Sequence, residues 1–328
     1  MKYTNNHNLP EPLCRAIMRD TYRKAGHISV TALAKPPQMA CLERQHEDEI
    51  EVDVSEEIWM LLGTSTHAIL ERAGMDNALM EERLRIKCNG WIVAGKPDLY
   101  EADGTLTDFK VTSVYSFLLG EKPDWEAQLN CYAALLRVNG FEVTRLQILA
   151  ILRDWTKSRA LAQADYPKAQ ALAKPIPLWS HEKTLAYMEQ RVMLHQKAMR
   201  GVFPECTPEE RWHKDDKWAV KKKGNKRALR VFPNEWDAEA FYMDYIKDKY
   251  KKPWQVHRGD KKRPDTFETK EEAEDWAESI RRTEVQAEVK LKDFLEIEFR
   301  PGEDTRCEHF CKVRDWCPQY AKRKAEAA

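Results

Sequence analysis

The stretch GKPDLYEADGTLTDFK, residues 95–110, decides the fold that the rest of the chain is predicted to have. Extended segments flank the triplet at 102–104, whose Asp-Gly pair is a strong β-hairpin signal. A two-residue loop would put Asp98 and Asp108 on opposite faces, whereas a three-residue loop with a left-handed glycine sets them opposite each other. We predict the three-residue loop. Because alternate strand residues share a face, Asp98, Asp108 and Lys110 then converge.

Two carboxylates beside an ammonium group form the arrangement that a hard divalent cation and a positioned water require. Mg²⁺ prefers oxygen ligands and keeps several waters, so Asp98, Asp108 and one backbone carbonyl are enough to hold it. Such a cation stabilises charge on a scissile phosphate, and Lys110 can orient the attacking water or stabilise the developing charge. The alternative is a surface hairpin carrying a cross-strand ion pair.

The segments around this hairpin are predicted to alternate between helices and strands, as in an α/β fold with a mixed central sheet. Residues 55–74 have apolar residues at helical spacing and place His67 and Glu71 on one face. We further expect two short helices over 29–46 separated by Pro36-Pro37, strands at 81–87, 91–100 and 105–112, a helix over 125–140, a buried strand within 141–155 and a helix over 180–200.

The overall composition is balanced, with 54 basic and 54 acidic residues among 328. Residues 214–263 nevertheless hold 16 Lys and Arg against 8 Asp and Glu, a local charge of +8. No window approaches 18 consecutive apolar residues, so we expect no membrane span and a cytoplasmic location. No GxxxxGK[ST] motif occurs, which argues against an NTP-driven motor.

The basic region contains a repeat of about 36 residues. Trp218, followed by Phe232 and an Ala-Glu-Ala-Phe segment, matches Trp254, followed by Phe267 and Ala-Glu-Asp-Trp. Each copy is predicted to be a basic hairpin followed by an acidic helix. The tryptophans are best explained as repeat cores. DNA contact and plain solvation are about equally good explanations for the basic residues, Lys221, Lys222, Lys223, Lys226, Arg227, Arg230, Lys261, Lys262 and Arg263.

Four motifs in one order, Gly63…His67, Gly95-Lys96-Pro97-Asp98, Asp108-Phe109-Lys110 and Gln128…Tyr132, together resemble the PD-(D/E)XK nucleases. The similarity is to the RecB-like branch, which includes the RecB and AddB nuclease domains and the CRISPR-adaptation nucleases. It covers roughly 29–155 and the C-terminal tail. The resemblance implies a restriction-endonuclease-like α/β core with a tandem ββα insertion and a cysteine-rich C-terminal staple.

The resemblance also implies roles for individual residues. His67, Asp98, Asp108 and the Phe109 carbonyl would hold Mg²⁺ or Mn²⁺, and Lys110 would be the catalytic lysine. The family's QxxxY element, matched here by Gln128 and Tyr132, contacts DNA near the active site. Glu82 resembles the acidic residue that often opens the hairpin, and Glu71 would support His67. Taken singly, His67, Gln128 and Tyr132 would more often be structural residues.

The cysteines resemble the [4Fe-4S] ligands of several members of this branch, in which the first cysteine precedes the histidine motif. Cys41 would be that ligand, and Cys307, Cys311 and Cys317 would be the other three. The tail reads C-x3-C-x5-C, whereas the usual form has two residues in its first gap. Cys206 is the rival fourth ligand. A Zn²⁺ site and reduced structural thiols are the alternatives.

The predicted organisation is a nuclease core over 1–200, a basic insertion over 206–285, and a strand with the cluster segment over 286–328 that packs on the core. The expected function is metal-dependent DNA hydrolysis, as an exonuclease of phage or prophage type in recombination or end processing. A CRISPR-adaptation nuclease, a non-cutting Fe–S DNA-binding protein and an Fe–S redox protein are the alternatives. Beyond DNA, the partners expected are further copies of the chain or a recombination protein.

Overall fold

A computed structural model of the chain describes residues 1–19, 26–118, 123–249, 252–259, 264–282, 286–291 and 294–326. The chain divides into two compact units. The first comprises Met1–Glu210 and Cys311–Ala328, and the second is Arg211–Phe310. The predicted boundary between 285 and 286 therefore falls inside the second unit. The strands that follow it pair with the repeats, as described below.

The first unit holds mixed sheets and eight helices before residue 211, counted over the described ranges. Its strands are β1 (Lys2–Thr4), β2 (Ile28–Ser29), β3 (Glu51–Asp53), β4 (Ala78–Leu79), β5 (Leu84–Cys88), β6 (Trp91–Gly95), β7 (Leu99–Glu101), β8 (Thr105–Thr112), β9 (Arg145–Leu152) and β10 (Ala171–Ile176). Its helices are α1 (Glu11–Met18), α2 (Val30–Ala34), α3 (Pro37–Gln45), α4 (Ile58–Ala73), α5 (Val114–Leu118), α6 (Pro123–Val138), α7 (Lys157–Ala162) and α8 (His181–Met199), with a 3₁₀ turn at Val54–Glu57.

The largest sheet has five strands in the order β10-β9-β8-β7-β4, with β8 and β9 parallel and the other neighbours antiparallel. A second sheet has three strands in the order β2-β6-β5. Strands β1 and β3 form a separate two-stranded sheet. The prediction of a single strand over 91–100 was wrong. The chain forms two strands there, β6 and β7, which belong to different sheets and are separated by Lys96–Asp98. Pro97 explains the division, since proline has no N–H to donate to a ladder.

The hairpin between β7 and β8 has the predicted register. Leu99 pairs with Thr107 and Tyr100 with Leu106, which leaves a three-residue loop ending at Gly104. Gly104 has φ +83°, and its N–H donates to the Glu101 carbonyl at 2.9 Å. The same register, continued by one step, sets Asp98 opposite Asp108. The prediction of a left-handed glycine and a three-residue loop is therefore confirmed.

Helix α8 anchors the short helix α2 through two buried side chains. The Arg191 guanidinium donates to the Leu33 and Ala34 carbonyls at 3.1 and 3.4 Å, to the Lys35 carbonyl, and to Glu210 at 2.7 Å. His195 Nε2 lies 3.2 Å from the same Leu33 carbonyl. These contacts satisfy the carbonyl groups that a helix C-terminus leaves without an internal partner.

The second unit contains two copies of one motif, one nested inside the other. Its elements are β11 (His213–Lys214), β12 (Lys217–Lys222), β13 (Ala228–Phe232), α9 (Glu235–Lys249), β14 (Trp254–Arg258), β15 (Asp265–Phe267), α10 (Lys270–Arg281), β16 (Ala287–Leu291), β17 (Leu295–Arg300), β18 (Glu303–Asp304) and α11 (Thr305–His309). The sheets are β13-β12-β17 and β15-β14-β16. The second copy thus lies between α9 and β17 of the first. The chain then ends in the first unit, with a 3₁₀ turn at Arg314–Trp316 and helix α12 (Pro318–Glu326).

Each predicted repeat contains two strands and a helix, but the copies are nested and not in simple tandem, and each sheet takes a third strand. Trp218 packs against the apolar cluster of the first copy and Trp254 against that of the second. Lys221 is ion-paired with Glu298 and, at 3.4 Å, with Glu296, so its charge is largely compensated. The predicted basic residues at 261–263 lie outside the described part of the chain. No helix of that part is long and apolar enough to span a membrane.

Acid should destabilise the first unit through His195. Burial lowers the pKa of His195 from 6.5 to about 4, although its bond to Leu33 acts in the opposite direction. The unfolded chain therefore binds a proton that the folded chain rejects, so stability is lost as the pH falls from 6.5 towards 4. We expect the free energy of unfolding to fall by about 2 kcal/mol between pH 7 and pH 5 on account of this group.

Urea denaturation of the wild type and of His195→Gln at both pH values measures how much unfolding free energy His195 removes on acidification. The Gln side chain retains a donor for Leu33 but does not titrate. The variant should lose less stability on acidification than the wild type. His7→Gln, at an exposed histidine of the same unit, is the matched control and should behave as wild type. Equal pH dependence in all three proteins would contradict the assignment.

Candidate metal centre

A cluster of one imidazole and two carboxylates lies where α4 meets the break between β6 and β7. His67 Nδ1 is 3.2 Å from Asp98 Oδ1 and 3.8 Å from Glu81 Oε1. One potential ligand atom from each of the three residues lies within 4.8 Å of the other two. Lys96 Nζ contacts the second Glu81 oxygen at 3.2 Å. This geometry is that of a potential cation site with one face open to solvent, since His67 is half-buried.

Asp98 ties this cluster to strand β8. Its Oδ2 accepts a hydrogen bond from the Phe109 N–H at 2.7 Å, just beyond the last β7–β8 ladder pair. In an extended strand the N–H and C=O of one residue point to the same side. The Phe109 carbonyl therefore points to the edge where Asp98 lies, which is the orientation that the predicted backbone ligand requires.

Asp108 and Lys110 lie on the face of β8 that helix α6 covers. Lys110 Nζ is 2.6 Å from Asp108 Oδ2 and 3.3 Å from Gln128 Oε1. Gln128 Nε2 is 3.4 Å from Asp108 Oδ1, which closes a three-membered polar network. Asp108 is 3% exposed, and its Oδ2 has no aligned hydrogen bond despite the short ion pair. A buried oxygen of this kind has coordination capacity left over.

Tyr132 holds the Gln128 end of this network from the core side. Its ring is buried in the main core, and its hydroxyl interacts with Gln128 and Thr31. A Cβ on Gly95 would lie 2.5 Å from this ring, so only glycine fits at the end of β6. Because Tyr132 is 7% exposed, it can influence a ligand chiefly by positioning Gln128.

The charges of the site are strongly coupled. Hydrogen bonds to Asp98 and Glu81 raise the pKa of His67 to about 10, against the opposing effect of burial. Burial would raise the pKa of Glu81, but the bonds from His67 and Lys96 more than offset it and lower that pKa. Burial raises the pKa of Asp108 to about 6, although Lys110 opposes the shift.

The acidic residue beside His67 is Glu81, whereas the resemblance implies that Glu82 is the acidic residue that opens the hairpin. Glu81 takes φ +52°, an uncommon conformation for a glutamate, and its N–H donates to the Pro97 carbonyl at 3.0 Å. This bond turns the Glu81 side chain towards Asp98. Glu82 and Glu71 instead line a separate cavity of about 550 Å³. A left-handed residue cannot be read from the pattern of apolar residues, so the sequence does not single out Glu81.

The donor set is suitable for a divalent cation. His67, Glu81 and Asp98 combine one imidazole with carboxylate oxygens, and Asp108 adds a buried carboxylate nearby. Oxygen-rich sites suit Mg²⁺ and Mn²⁺, and an imidazole among the ligands is compatible with the softer Mn²⁺. We therefore expect Mn²⁺ to bind at least as well as Mg²⁺.

Replacing Glu81 should weaken cation binding, whereas replacing its neighbour should not. Glu81→Gln removes one anionic ligand without changing the shape of the side chain, so Mn²⁺ affinity should fall by at least about tenfold. Glu82→Gln is the matched control, because it removes the same charge from a side chain that lines a different cavity. Isothermal titration with Mn²⁺ measures both. Equal loss in the two variants would show a general charge effect and not ligation.

Within the first unit, the cysteines outside the core gather around α3 and the C-terminal segment. Cys41 is buried on α3, where its thiol contacts the Ala198 carbonyl at 3.4 Å and burial raises its pKa. Cys311 and Cys317 pack against an apolar cluster that includes Leu42. Tyr320 N–H lies 3.5 Å from the Cys317 sulfur.

Cys206 lies in the same neighbourhood. Its N–H donates to Gln319 Oε1 at 2.8 Å, and its carbonyl accepts from Gln319 Nε2 at 3.0 Å. Its sulfur is 4.0 Å from Gln38 Oε1 on α3, one helical turn from Cys41. Cys307 belongs to the second unit. The first unit thus contributes four thiols near α3, if Cys206 is counted.

Comparison with known proteins shows little. No family model matches the sequence, and no curated protein matches it. A solved structure described as "Crystal structure of SSO0001" is 18% identical with a TM-score of 0.40, over 56% of this chain and 84% of that chain. A likeness at this level carries no argument about function. What is shown is a mixed α/β protein with a potential cation site.

Proposed function

We propose that the protein is a metal-dependent DNA nuclease with a restriction-endonuclease-like core. The observation that carries the proposal is that two groups of residues meet at the base of the β7–β8 hairpin. His67, Glu81 and Asp98 form a potential cation site. The Asp108–Lys110 pair lies on the adjoining strand, tied to Asp98 through the Phe109 N–H. A cation at the first group would thus lie near the ammonium group of Lys110 and the Gln128 amide that contacts it.

Each residue has a definable task in phosphodiester hydrolysis. His67, Glu81, Asp98 and Asp108 would hold the cation, with the Phe109 carbonyl at the same edge. When bound, Mg²⁺ or Mn²⁺ supplies Lewis-acid stabilisation of the phosphate and lowers the pKa of water at the site.

Lys110 and Gln128 act on the reacting groups. The Lys110 ammonium, held at 2.6 Å by Asp108, can stabilise the negative charge that develops on the phosphate oxygens. Gln128 contacts both Lys110 and Asp108, so it fixes their relative position and can donate to the substrate. Such preorganisation is effective because Asp108 is buried, where electrostatic interactions are weakly screened.

DNA is the substrate that the sequence favours. The motif resemblance points to DNA, and the excess of basic residues over 214–263 supplies a positive region in an otherwise acidic chain. Lys222, Lys226 and Arg227 are exposed on the hairpin of the first repeat. They are better candidates for phosphate contact than Lys221, which is paired with glutamates.

Nuclease activity should depend on the cation and on both members of the Asp108–Lys110 pair. We expect the wild type to degrade end-labelled DNA with Mn²⁺ or Mg²⁺, and the chelated protein to be inactive. Asp108→Ala and Lys110→Ala should each lower the rate by at least about 100-fold, because each removes a group that stabilises charge in the transition state. Comparison of 5′- and 3′-labelled substrates gives the polarity of digestion.

Asp103→Asn is the matched control for these variants. It changes a carboxylate in the loop of the same hairpin but can keep the acceptor for the Thr105 N–H, so cleavage should continue at the wild-type rate. A folded, metal-loaded wild type that binds DNA without cutting it would replace the proposal with a DNA-binding function.

We further propose that the thiols near α3 hold a [4Fe-4S] cluster. Thiolates are the ligands that iron–sulfur clusters take, and Cys41, Cys311 and Cys317 come from segments distant in sequence that share one neighbourhood. The fourth ligand is Cys307 by resemblance or Cys206 by its contacts with Gln38 and Gln319. A cluster there would connect α3 to the end of the chain.

Anaerobic purification tests the cluster. The wild type should be brown with a broad absorption near ~400 nm, and Cys41→Ser should be colourless. Comparing Cys206→Ser with Cys307→Ser identifies the fourth ligand by which one loses iron. Cys14→Ser, a buried cysteine away from this neighbourhood, should keep the colour. A colourless wild type that contains zinc would exclude the iron–sulfur assignment.

A further inference from the structure

Helix α4, which carries His67, exposes several large apolar side chains to solvent. It has no fully buried residue, although most of its residues are apolar or small. Trp59, Leu62 and Ile69 are 54%, 40% and 58% exposed. At positions i, i+3 and i+10 they lie along one side of the helix. The cation site and an apolar stripe therefore share one helix.

Trp59 forms a stacked pair with Arg153. The guanidinium carbon lies 3.9 Å from the centre of the indole, the geometry of a cation–π contact. The Arg153 N–H donates to the carbonyl of Thr112, the last residue of β8, at 3.0 Å. The pair is therefore located at the C-terminal end of the strand that carries Asp108 and Lys110.

The pair is close to the cation site. The His67 ring is 6.2 Å from the ring of Phe109, so α4 lies alongside β8 at that point. From Phe109 to Thr112 the strand advances ~10 Å, and from His67 to Trp59 the helix advances ~12 Å. Because His67 contacts Phe109 and Trp59 contacts the residue bonded to Thr112, helix and strand run side by side in opposite directions.

The charge and chemistry of this surface match a single-stranded nucleic acid. Across the described ranges, no carboxylate forms an ion pair with Arg153, so its charge is available to a phosphate. Tyr115, 69% exposed in α5 directly after β8, provides a second aromatic ring. Aromatic rings that stack on bases, interleaved with cations that neutralise phosphates, are the means by which proteins bind single strands.

We propose that Trp59, held by Arg153, is a stacking platform for a base of single-stranded DNA whose scissile phosphate lies at the cation site. This inference rests on the proposed nuclease function and adds the form of its substrate. A duplex keeps its bases paired and stacked on each other, so it cannot offer a single base to the indole. The platform therefore selects single strands or frayed ends.

The test is binding of fluorescein-labelled oligodeoxythymidylate, followed by anisotropy in the Asp108→Ala background so that the probe is not cut. Trp59→Ala should weaken binding about 5- to 100-fold, whereas Trp59→Phe retains a ring and most of the affinity. Arg153→Ala should weaken binding and reduce the salt dependence by about one charge. Met193→Ala is the matched control, because it removes a side chain that is likewise 46% exposed, but from helix α8 and not from α4.

The outcomes separate this proposal from the proposed activity. If the wild type cuts DNA but Trp59→Ala leaves KM and oligonucleotide affinity unchanged, the platform is overturned and the nuclease stands. If Trp59→Ala loses affinity but the wild type never cuts, the platform stands without hydrolysis. Equal binding of a blunt hairpin duplex and of the single strand would overturn the substrate assignment. Unchanged DNA affinity with a smaller oligomer in light scattering would make the stripe an interface between copies of the chain.

Discussion

The hydrogen bond from the Phe109 N–H to Asp98 Oδ2 is the contact on which the candidate site depends. It continues the β7–β8 pairing beyond the last ladder pair by replacing a backbone acceptor with a carboxylate. The other oxygen of Asp98 thereby remains directed at His67. A slip of one residue in the hairpin would turn every side chain of β8 to the opposite face and would separate Asp98 from Asp108. The three-residue loop ending at Gly104 prevents that slip.

The charge balance of the site explains how it can form before any cation binds. Three carboxylates, Glu81, Asp98 and Asp108, face three cationic groups, the protonated His67, Lys96 and Lys110, and each carboxylate has a cationic neighbour. Burying unpaired carboxylates would cost several kcal/mol each, so this pairing is a condition for folding. A divalent cation that takes His67 as a ligand displaces the imidazole proton, because only a neutral imidazole coordinates a metal, so the site gains one net positive charge, which a phosphate diester offsets. The same arrangement therefore favours an anionic ligand once the metal is present.

Local features of the fold could be predicted from the sequence, and non-local ones could not. The hairpin register follows from the parity of a short loop, and the ββα repeats follow from a repeated pattern of residues. The position of Glu81 depends on its own left-handed backbone and on its bond to Pro97, and this bond joins the β4–β5 connection to the β6–β7 connection. The nesting of the repeats depends on β12 pairing with β17, far along the chain, which neither periodicity nor turn signals can indicate.

The nested pairing also accounts for how a long insertion can separate Cys206 from Cys311 without opening the first unit. Lys217 pairs with Arg300 and His213 with Asp304, so the two ends of the second unit are adjacent. Asp304 is further fixed by Arg211 at 3.0 Å. Because the ends are joined by this ladder, closing the loop of the insertion costs the first unit little conformational entropy. Cys311 and Cys317 can then pack beside Leu42 of α3, although the second unit separates them from Cys206 in sequence. This is the chain topology that the proposed cluster requires.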